Sequence, residues 1–566
     1  MTDNENINCS FNSPAPLEWW KIARLERQGC ICDNWELVKF SPDIDISKIR
    51  NVCFGPNVSV ESGAVVRNVR GGISNCRVGK NAIIENVDRI EFDNEASCGV
   101  GTLICALDET GSRPVVAYPG LSAQAATLMA RVPRWYKNKI CPAIHDFLDS
   151  KAVRQEIGDD AVVRDCGRLI NMSVGAGCKI EGARSLVNGA VINNVEAGKP
   201  LAYIGSGVDA ENFIIEDGMV DAGAILRNCY VGQGAEVAKG FSAHDSLFFA
   251  NCSFENGEAC ALLAGPYSVS MHKATLMIGC QTAFMNAGSS TNQSNHMYKL
   301  GPVHWGVLER GVKTSSGSYI MFGAKIGAFS MIMGAHKTHP DSSDFPFSYL
   351  FGDERGATVV VPGAMLRSCG LLRDEQKWPT RDRRLKRRIP LHDRIIFNVL
   401  NPFTVDSMLK AIETISGLLA HPTDDDLYLR YKGMKFTRAA LERAKFLYTS
   451  AIYKYLSLAL PDGIIPESDG EDAGGWVDIC GQVMPRAYLD DAMNLSSLDE
   501  IENLFDEAYS RYDELQLQWI GRRFDKWWRD RQNRIPIGAE QFDEMVVDDR
   551  QEYLDNLSRE THMLEL

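Results

Sequence analysis

No run of about 18 apolar residues occurs in this chain, so nothing in it reads as a bilayer-spanning helix. The opening residues, MTDNENINCSF, lack the basic-then-apolar order of a signal peptide. Positive charge is in deficit: 60 Lys and Arg face 74 Asp and Glu, giving a net charge of −14 and a pI near 5.3. That balance argues against wrapping a nucleic-acid backbone, although a local basic patch can still hold an anionic ligand. Paired CxxC spacing is missing too, so the 16 cysteines build no zinc cage, and a chain this long dilutes them too far for a disulfide scaffold. These absences predict a cytoplasmic protein with neither nucleic acid nor membrane as partner. With 45% hydrophobic and 24% charged residues, the 566-residue chain has ample material for large cores.

What is present is a period of six. Phe54, Val60, Val66, Val78, Ile84 and Ile90 recur at that spacing, with Gly72 in the one gap. Six steps of about 100° scatter side chains around a helix, whereas on an extended chain six is even and all can point inward together. Runs of such units are the signature of a parallel β-helix, each unit forming one short wall of a triangular prism. The register returns at Val174, Ile180, Leu186 and Ile192, at Val208, Ile214, Val220 and Leu226, and at Ile320, Ile326 and Ile332. Small or acidic residues such as Glu61, Gly79, Glu85 and Gly175 follow inward positions, where the chain must turn a corner. Cys53, Cys76, Cys166, Cys178, Cys229 and Cys252 fall inside the pattern and read as small interior fillers.

Residues 1–50 read as a cap over the first coil, which would otherwise leave an open edge. The β-helix then runs over 51–105 and 157–370, interrupted by an excursion at 106–156 with helices at Ser122 to Arg131 and Ile144 to Ile157. The polar segment 287–306 reads as a protruding loop, since it is too polar for a wall. From 371 to 566 the periodicity becomes helical: Phe403 to Leu419, Phe436 to Leu460, and Leu498 to Arg529 behind a capping box at Ser497 and Glu500. Pro461 to Gly475 reads as a flexible acidic connection, and Trp519, Trp527 and Trp528 as core or docking residues. The Arg-rich run from Arg373 to Arg394 reads as a solvated junction docking on the acidic β-helix, with phosphate or coenzyme A binding as the alternative.

Hexapeptides of the form aliphatic, Gly or acidic, two free positions, then small resemble the left-handed β-helix superfamily, which contains trimeric acyltransferases acting on sugars, sugar nucleotides and amino acids. The handedness and a homotrimer are implied by that resemblance alone. The order of AHDSLFFANC, MHKATLMIG, STNQSNHMYKLGP and the helical tail is similar to an uncharacterised bacterial family of long hexapeptide-repeat proteins.

Three groups of residues could carry chemistry. His244 and Asp245 resemble the His-Asp pair of acyltransferases that load acyl chains onto UDP-sugars: His takes the acceptor proton and the carboxylate orients the imidazole. Neighbouring side chains on a strand point apart, so Asp245 can assist only if the chain turns there. His272, His296 and His304, with Asn286, Asn292, Gln293, Asn295, Tyr298 and Lys299, loosely resemble the segment that holds acceptor and acyl carrier in hexosamine-phosphate acetyltransferases of this fold. Amides pair with vicinal hydroxyls, Tyr298 can stack on a sugar and Lys299 can meet phosphate. His336 and His339 are weaker, metal-ligand candidates of a carbonic-anhydrase-like kind. The leading expectation is therefore an acyltransferase with a sugar or nucleotide-sugar acceptor. It would use acetyl-CoA or another acyl donor as co-substrate and hold no cofactor tightly. A non-catalytic trimeric scaffold binding sugar nucleotide or protein, and a metal-dependent enzyme, stand as alternatives.

Overall fold

The computed structural model describes residues 17–93, 96–194, 202–294, 304–321, 323–384, 390–420, 427–460, 466 and 474–529. The protein is mainly β. Among the described residues twenty-eight strands join one sheet whose pairings are parallel, an arrangement compatible with a β-helix. The chain returns to the same ladder after 17 or 18 residues, as the stacked side chains of Asn51, Asn68 and Asn86 show. Three six-residue units account for that distance.

The strands fall into three ladders. Val163, Ile180, Ile204, Val220 and Val237 stack in the first. Leu186, Ala210, Leu226, Ala243 and Ala259 stack in the second. Val191, Ile215, Val231, Phe248 and Ala264 stack in the third. All these side chains are buried in one continuous core. The even period thus delivers one inward side chain per unit to each ladder in turn.

The register differs from expectation at Ile192, Ile214 and Gly72. At the first two the inward place belongs to the neighbouring Val191 and Ile215, while Ile192 and Ile214 face the outer side of the third ladder. Gly72, with φ +104°, does not hold the inward place; Ile73 does, pairing with Phe54 on one side and Ile90 on the other across a register shift. Glycine at a bulge admits the extra residue and its left-handed turn.

Corners are made in more than one way. Glu61, Gly79 and Gly175 open tight turns in which each carbonyl accepts the N–H three residues on, whereas Glu85 lies within a strand. At other corners asparagines and aspartates at positive φ turn the chain, among them Asn68, Asn86, Asp165, Asn212, Asn228 and Asp245. A left-handed backbone costs other L-residues about 1–2 kcal/mol, and Asn and Asp tolerate it best. Their side chains hydrogen-bond from coil to coil: Asn51 to Asn68 to Asn86 to Asp165 along one corner, and Asn188 to Asn212 to Asn228 to Asp245 along another.

The polar segment is only partly a loop. Asn292–Ser294 form a strand of the second ladder, paired with Leu276, Met277 and Tyr319 to Met321. Small polar residues fit the interior here because they satisfy one another: the Thr291 and Thr314 hydroxyls lie 2.6 Å apart, and those of Ser268 and Thr282 2.8 Å. Residues 295–303 lie outside the described residues.

A second core covers the outer face of the third ladder. Ala190, Ile214, Tyr230, Leu247 and Leu263 point outward yet are buried beneath the excursion helix Ala123–Arg131, the hairpin Trp476–Ile479 with Gln482–Pro485, and the helix Leu498–Ser510. Ser122 caps the excursion helix by accepting the Ala125 N–H at 3.1 Å, and donates to Glu502 at 2.7 Å. Asp393 accepts N–H groups from both Ala123, at 2.7 Å, and Ala250, at 2.8 Å, so one carboxylate ties excursion, coil and C-terminal region together.

Further helices among the described residues include Trp19–Arg27, Cys369–Thr380, Pro402–Ala420, Arg438–Ala459, Arg486–Ala492 and Tyr512–Arg529. The helix expected over Ile144 to Ile157 ends at Ser150, with Glu156–Ile157 in a strand. The long helix expected from Leu498 is broken at Arg511 into two. Trp519 is buried against Tyr455, Trp476 and Phe524. The side chains of Trp527 and Trp528 and most of 461–473 lie outside the described residues. The Arg-rich run is exposed at Arg373 and Arg381 but not solvated throughout. Asp382, Arg384, Asp393 and Arg394 are buried, with Arg384 donating to Asp382 at 2.8 Å and Arg394 to Asp506 at 2.7 Å. No described helix is long and apolar enough to cross a membrane.

Candidate functional site

His244 stands on the second ladder between Arg227 and Cys260, and its side chain is 56% exposed. The next residue, Asp245, has φ 48°, and this left-handed step meets the condition for its carboxylate to reach the neighbouring ring. Its Oδ2 lies 2.8 Å from His244 Nδ1. The other oxygen accepts from Asn228 Nδ2 and from the Cys105 backbone N–H, both at 3.2 Å. Asp245 therefore ends an asparagine stack, with its orientation set before any ligand arrives. Such a carboxylate fixes the imidazole tautomer and leaves Nε2 directed outward. Next to it, Cys260 has its thiol pushed up to about 12, by burial first and then by Glu109, Asp245 and Glu258, so it is no ready nucleophile.

The second group does not converge. His272 is exposed on a turn between the first and second ladders, and Asn286 is exposed on the first ladder. Asn292 is half-buried on the second ladder and accepts from the Ser294 hydroxyl at 2.7 Å. Gln293 points into the core between Met277 and Ile320, fully buried, with no hydrogen-bond partner on either amide atom among the described residues. An inward amide cannot contact a sugar outside the coils, so Gln293 is corrected from a substrate contact to an interior residue. His304 is half-buried. Asn295, His296, Tyr298 and Lys299 lie outside the described residues.

His336 is a core histidine. Its Nδ1 lies 2.8 Å from the Thr358 hydroxyl and its Nε2 3.2 Å from the Met333 carbonyl, and burial pushes its pKa down to about 4. With both ring nitrogens engaged it presents no lone pair to a metal. His339 is exposed nearby. Among the described residues no group of three His, Cys, Asp or Glu could hold a metal ion.

Sequence reasoning missed a cleft of about 540 Å³ between the outer face of the third ladder and the helical layer. Its floor holds Glu309 and Arg310 from the coil and Asp478 from the hairpin; its rim holds Arg131, Lys325 and Arg486. Arg310 is fully buried, 3.4 Å from Asp478, and lies over the ring of Phe284. Glu309 accepts the Ala328 N–H at 3.0 Å, and burial, then the Asp478 charge, raise it to about 8. These residues come from segments hundreds of positions apart, so no local motif announces them. One signal did exist: the apolar doublets Ile214–Ile215, Tyr230–Val231 and Leu247–Phe248 mark strands buried on both faces, hence a covered ladder.

The class defined by these observations is a mainly β protein with a many-stranded parallel sheet, one ladder of which is roofed by helices. A family model described as a domain of unknown function (DUF4954) matches residues 56–419, more than half of the 566. The chain belongs to that family. A second model, also a domain of unknown function (DUF6819), matches residues 464–559. No curated protein matches the chain.

Proposed function

We propose that the chain is an acyltransferase of the left-handed hexapeptide-repeat type, acting on a sugar or nucleotide-sugar acceptor with His244 as general base. The observation that carries this reading is the 2.8 Å contact between His244 Nδ1 and Asp245 Oδ2, with Asp245 held in turn by Asn228 and Cys105. In the reaction the acceptor hydroxyl or amine attacks the thioester carbon of the acyl donor while His244 Nε2 takes its proton. The tetrahedral intermediate then expels the thiolate, which recovers that proton from the imidazolium. Acetyl-CoA is the donor to test first.

His244 is exposed and does not line the cleft of about 540 Å³. A reaction shielded from water needs another surface there, which favours a homotrimer in which a neighbouring copy closes over the second ladder. The third ladder is already covered by the chain's own helices, leaving the other two for contact.

The test is release of free thiol from acetyl-CoA across a panel of amino sugars and UDP-sugars. His244→Ala should lower turnover by about 10²-fold or more with stability retained, since a general base contributes on that order. Asp245→Asn should lower it less and shift the pH profile. Silence across the panel, or full activity in His244→Ala, overturns the proposal. Silence moves weight to the second reading, a non-catalytic ligand-binding protein, which the charged cleft away from the dyad favours.

A further inference from the structure

We propose that the cleft between the third ladder and the helical layer binds a small organic molecule carrying a multiply charged oxyanion, a phosphate ester or a polycarboxylate. This site is independent of His244. Its volume of about 540 Å³ suits a metabolite-sized ligand. Arg131, Lys325 and Arg486 line it, and none has an ion-pair partner among the described residues, although Arg131 lies over the Trp305 ring. The other two cations of the lining are already paired, Lys410 with Asp406 at 2.7 Å and Arg310 with Asp478 at 3.4 Å. Three unpaired cations around one concavity create a positive mouth in a chain of net charge −14.

The floor does not cancel that charge. Asp478 is offset by Arg310 at 3.4 Å and accepts the Gly481 N–H at 2.7 Å. Glu309 faces Asp478 on the hairpin, Arg131 on the excursion helix and Asp341 on the next coil, and with its pKa up at about 8 it carries a proton at pH 7. A neutral carboxyl donates to a ligand oxygen where a carboxylate would repel it. Leu128, Val307 and Trp476 provide an apolar wall for the carbon skeleton.

The test uses the full chain at pH 7, with pyrophosphate in one arm and citrate in the other, each against sodium chloride at equal ionic strength. Thermal unfolding and titration calorimetry should show stabilisation and one site per chain in at least one arm, and the responding arm tells phosphate from carboxylate. Arg131→Gln and Arg486→Gln should each weaken binding about tenfold, the worth of one charge-assisted contact, and Arg131→Lys less. Both residues are exposed, so folding should survive, as circular dichroism would show. Wild-type affinity should fall as pH rises through about 8, and Glu309→Gln should abolish that fall. No effect beyond chloride in either arm, or wild-type affinity in the Arg131→Gln/Arg486→Gln double variant, overturns the proposal.

Discussion

His392 Nε2 lies 3.0 Å from Glu216 Oε1, an ion pair between residues 176 positions apart that clamps the segment after the coils onto the third ladder. Glu216 also accepts the Gly120 N–H at 2.8 Å and the Tyr230 hydroxyl at 2.9 Å. Burial alone would neutralise both partners. The His392 hydrogen bond and charge overcome it and bring the carboxyl down to about 2, while Glu216 and Asp393 raise the imidazole.

Stability should therefore depend on pH from both sides. Glu216, depressed from 4.5, contributes stability that is present above its unfolded value and lost as pH falls toward about 2. His392, raised from 6.5, contributes stability that is present below its unfolded value and lost as pH rises through the raised one. Urea midpoints should form a plateau between these limits. His392→Asn should lower the plateau by about 3 kcal/mol, the cost of leaving one partner of such a pair unmatched, and flatten the alkaline side. An alkaline fall unchanged in the variant would assign it to another group.

Asparagine corners make a second prediction. Asn228, at φ 51°, accepts from Asn212 at 3.0 Å and donates to Asp245 at 3.2 Å. Asn228→Ala loses both bonds and forces alanine into the left-handed region, for about 2–3 kcal/mol in total. Asn228→Gly keeps the backbone comfortable and should lose less. Equilibrium denaturation that ranks the glycine variant below the alanine variant would show that the corner is not limited by backbone conformation.

How far the sequence revealed this molecule depends on the kind of constraint. Inward positions such as Ile180 and Val220 on the first ladder and Leu186 and Leu226 on the second were legible because side-chain alternation is a local property of the strand. Handedness has no signature in residue spacing. Asn292–Ser294 were misread because a hydroxyl-lined interior satisfies itself through contacts between coils that spacing does not display. The His244–Asp245 pair was legible as a pair, and the repeat of Asn212 and Asn228 at the same corner carried the turn that makes it one. The apolar doublets show that the third ladder is covered but say nothing of the cleft's charged lining, because Arg131, Glu309, Asp478 and Arg486 meet only after three segments dock.

Cysteine chemistry tests the filler reading directly. Burial raises the thiols of Cys76, Cys98, Cys178 and Cys229 to about 12 and that of Cys166 to about 11. A thiol-specific reagent at pH 8 should leave these five unlabelled in the native protein and modify all 16 cysteines in denaturant. Peptide mapping that finds Cys178 or Cys229 labelled under native conditions would show that the coils open locally.

The contact beneath the cleft can be tested by adding a single carbon. A Cβ on Gly265, on the third ladder, would lie 2.1 Å from Cys480 Sγ and 2.6 Å from the Thr282 carbonyl oxygen. Cys480 sits at the bend of the hairpin whose neighbouring residues Trp476 and Asp478 line the cleft, so Gly265→Ala must push that hairpin off the ladder. Overpacking of this kind costs about 1–3 kcal/mol. Removing the sulfur with Cys480→Ala relieves one of the two clashes. The double variant should then be more stable than the sum of the single losses by about 1 kcal/mol, a coupling typical of side chains in direct contact. Strict additivity in urea denaturation would place the whole clash on Thr282 and leave the hairpin undisturbed.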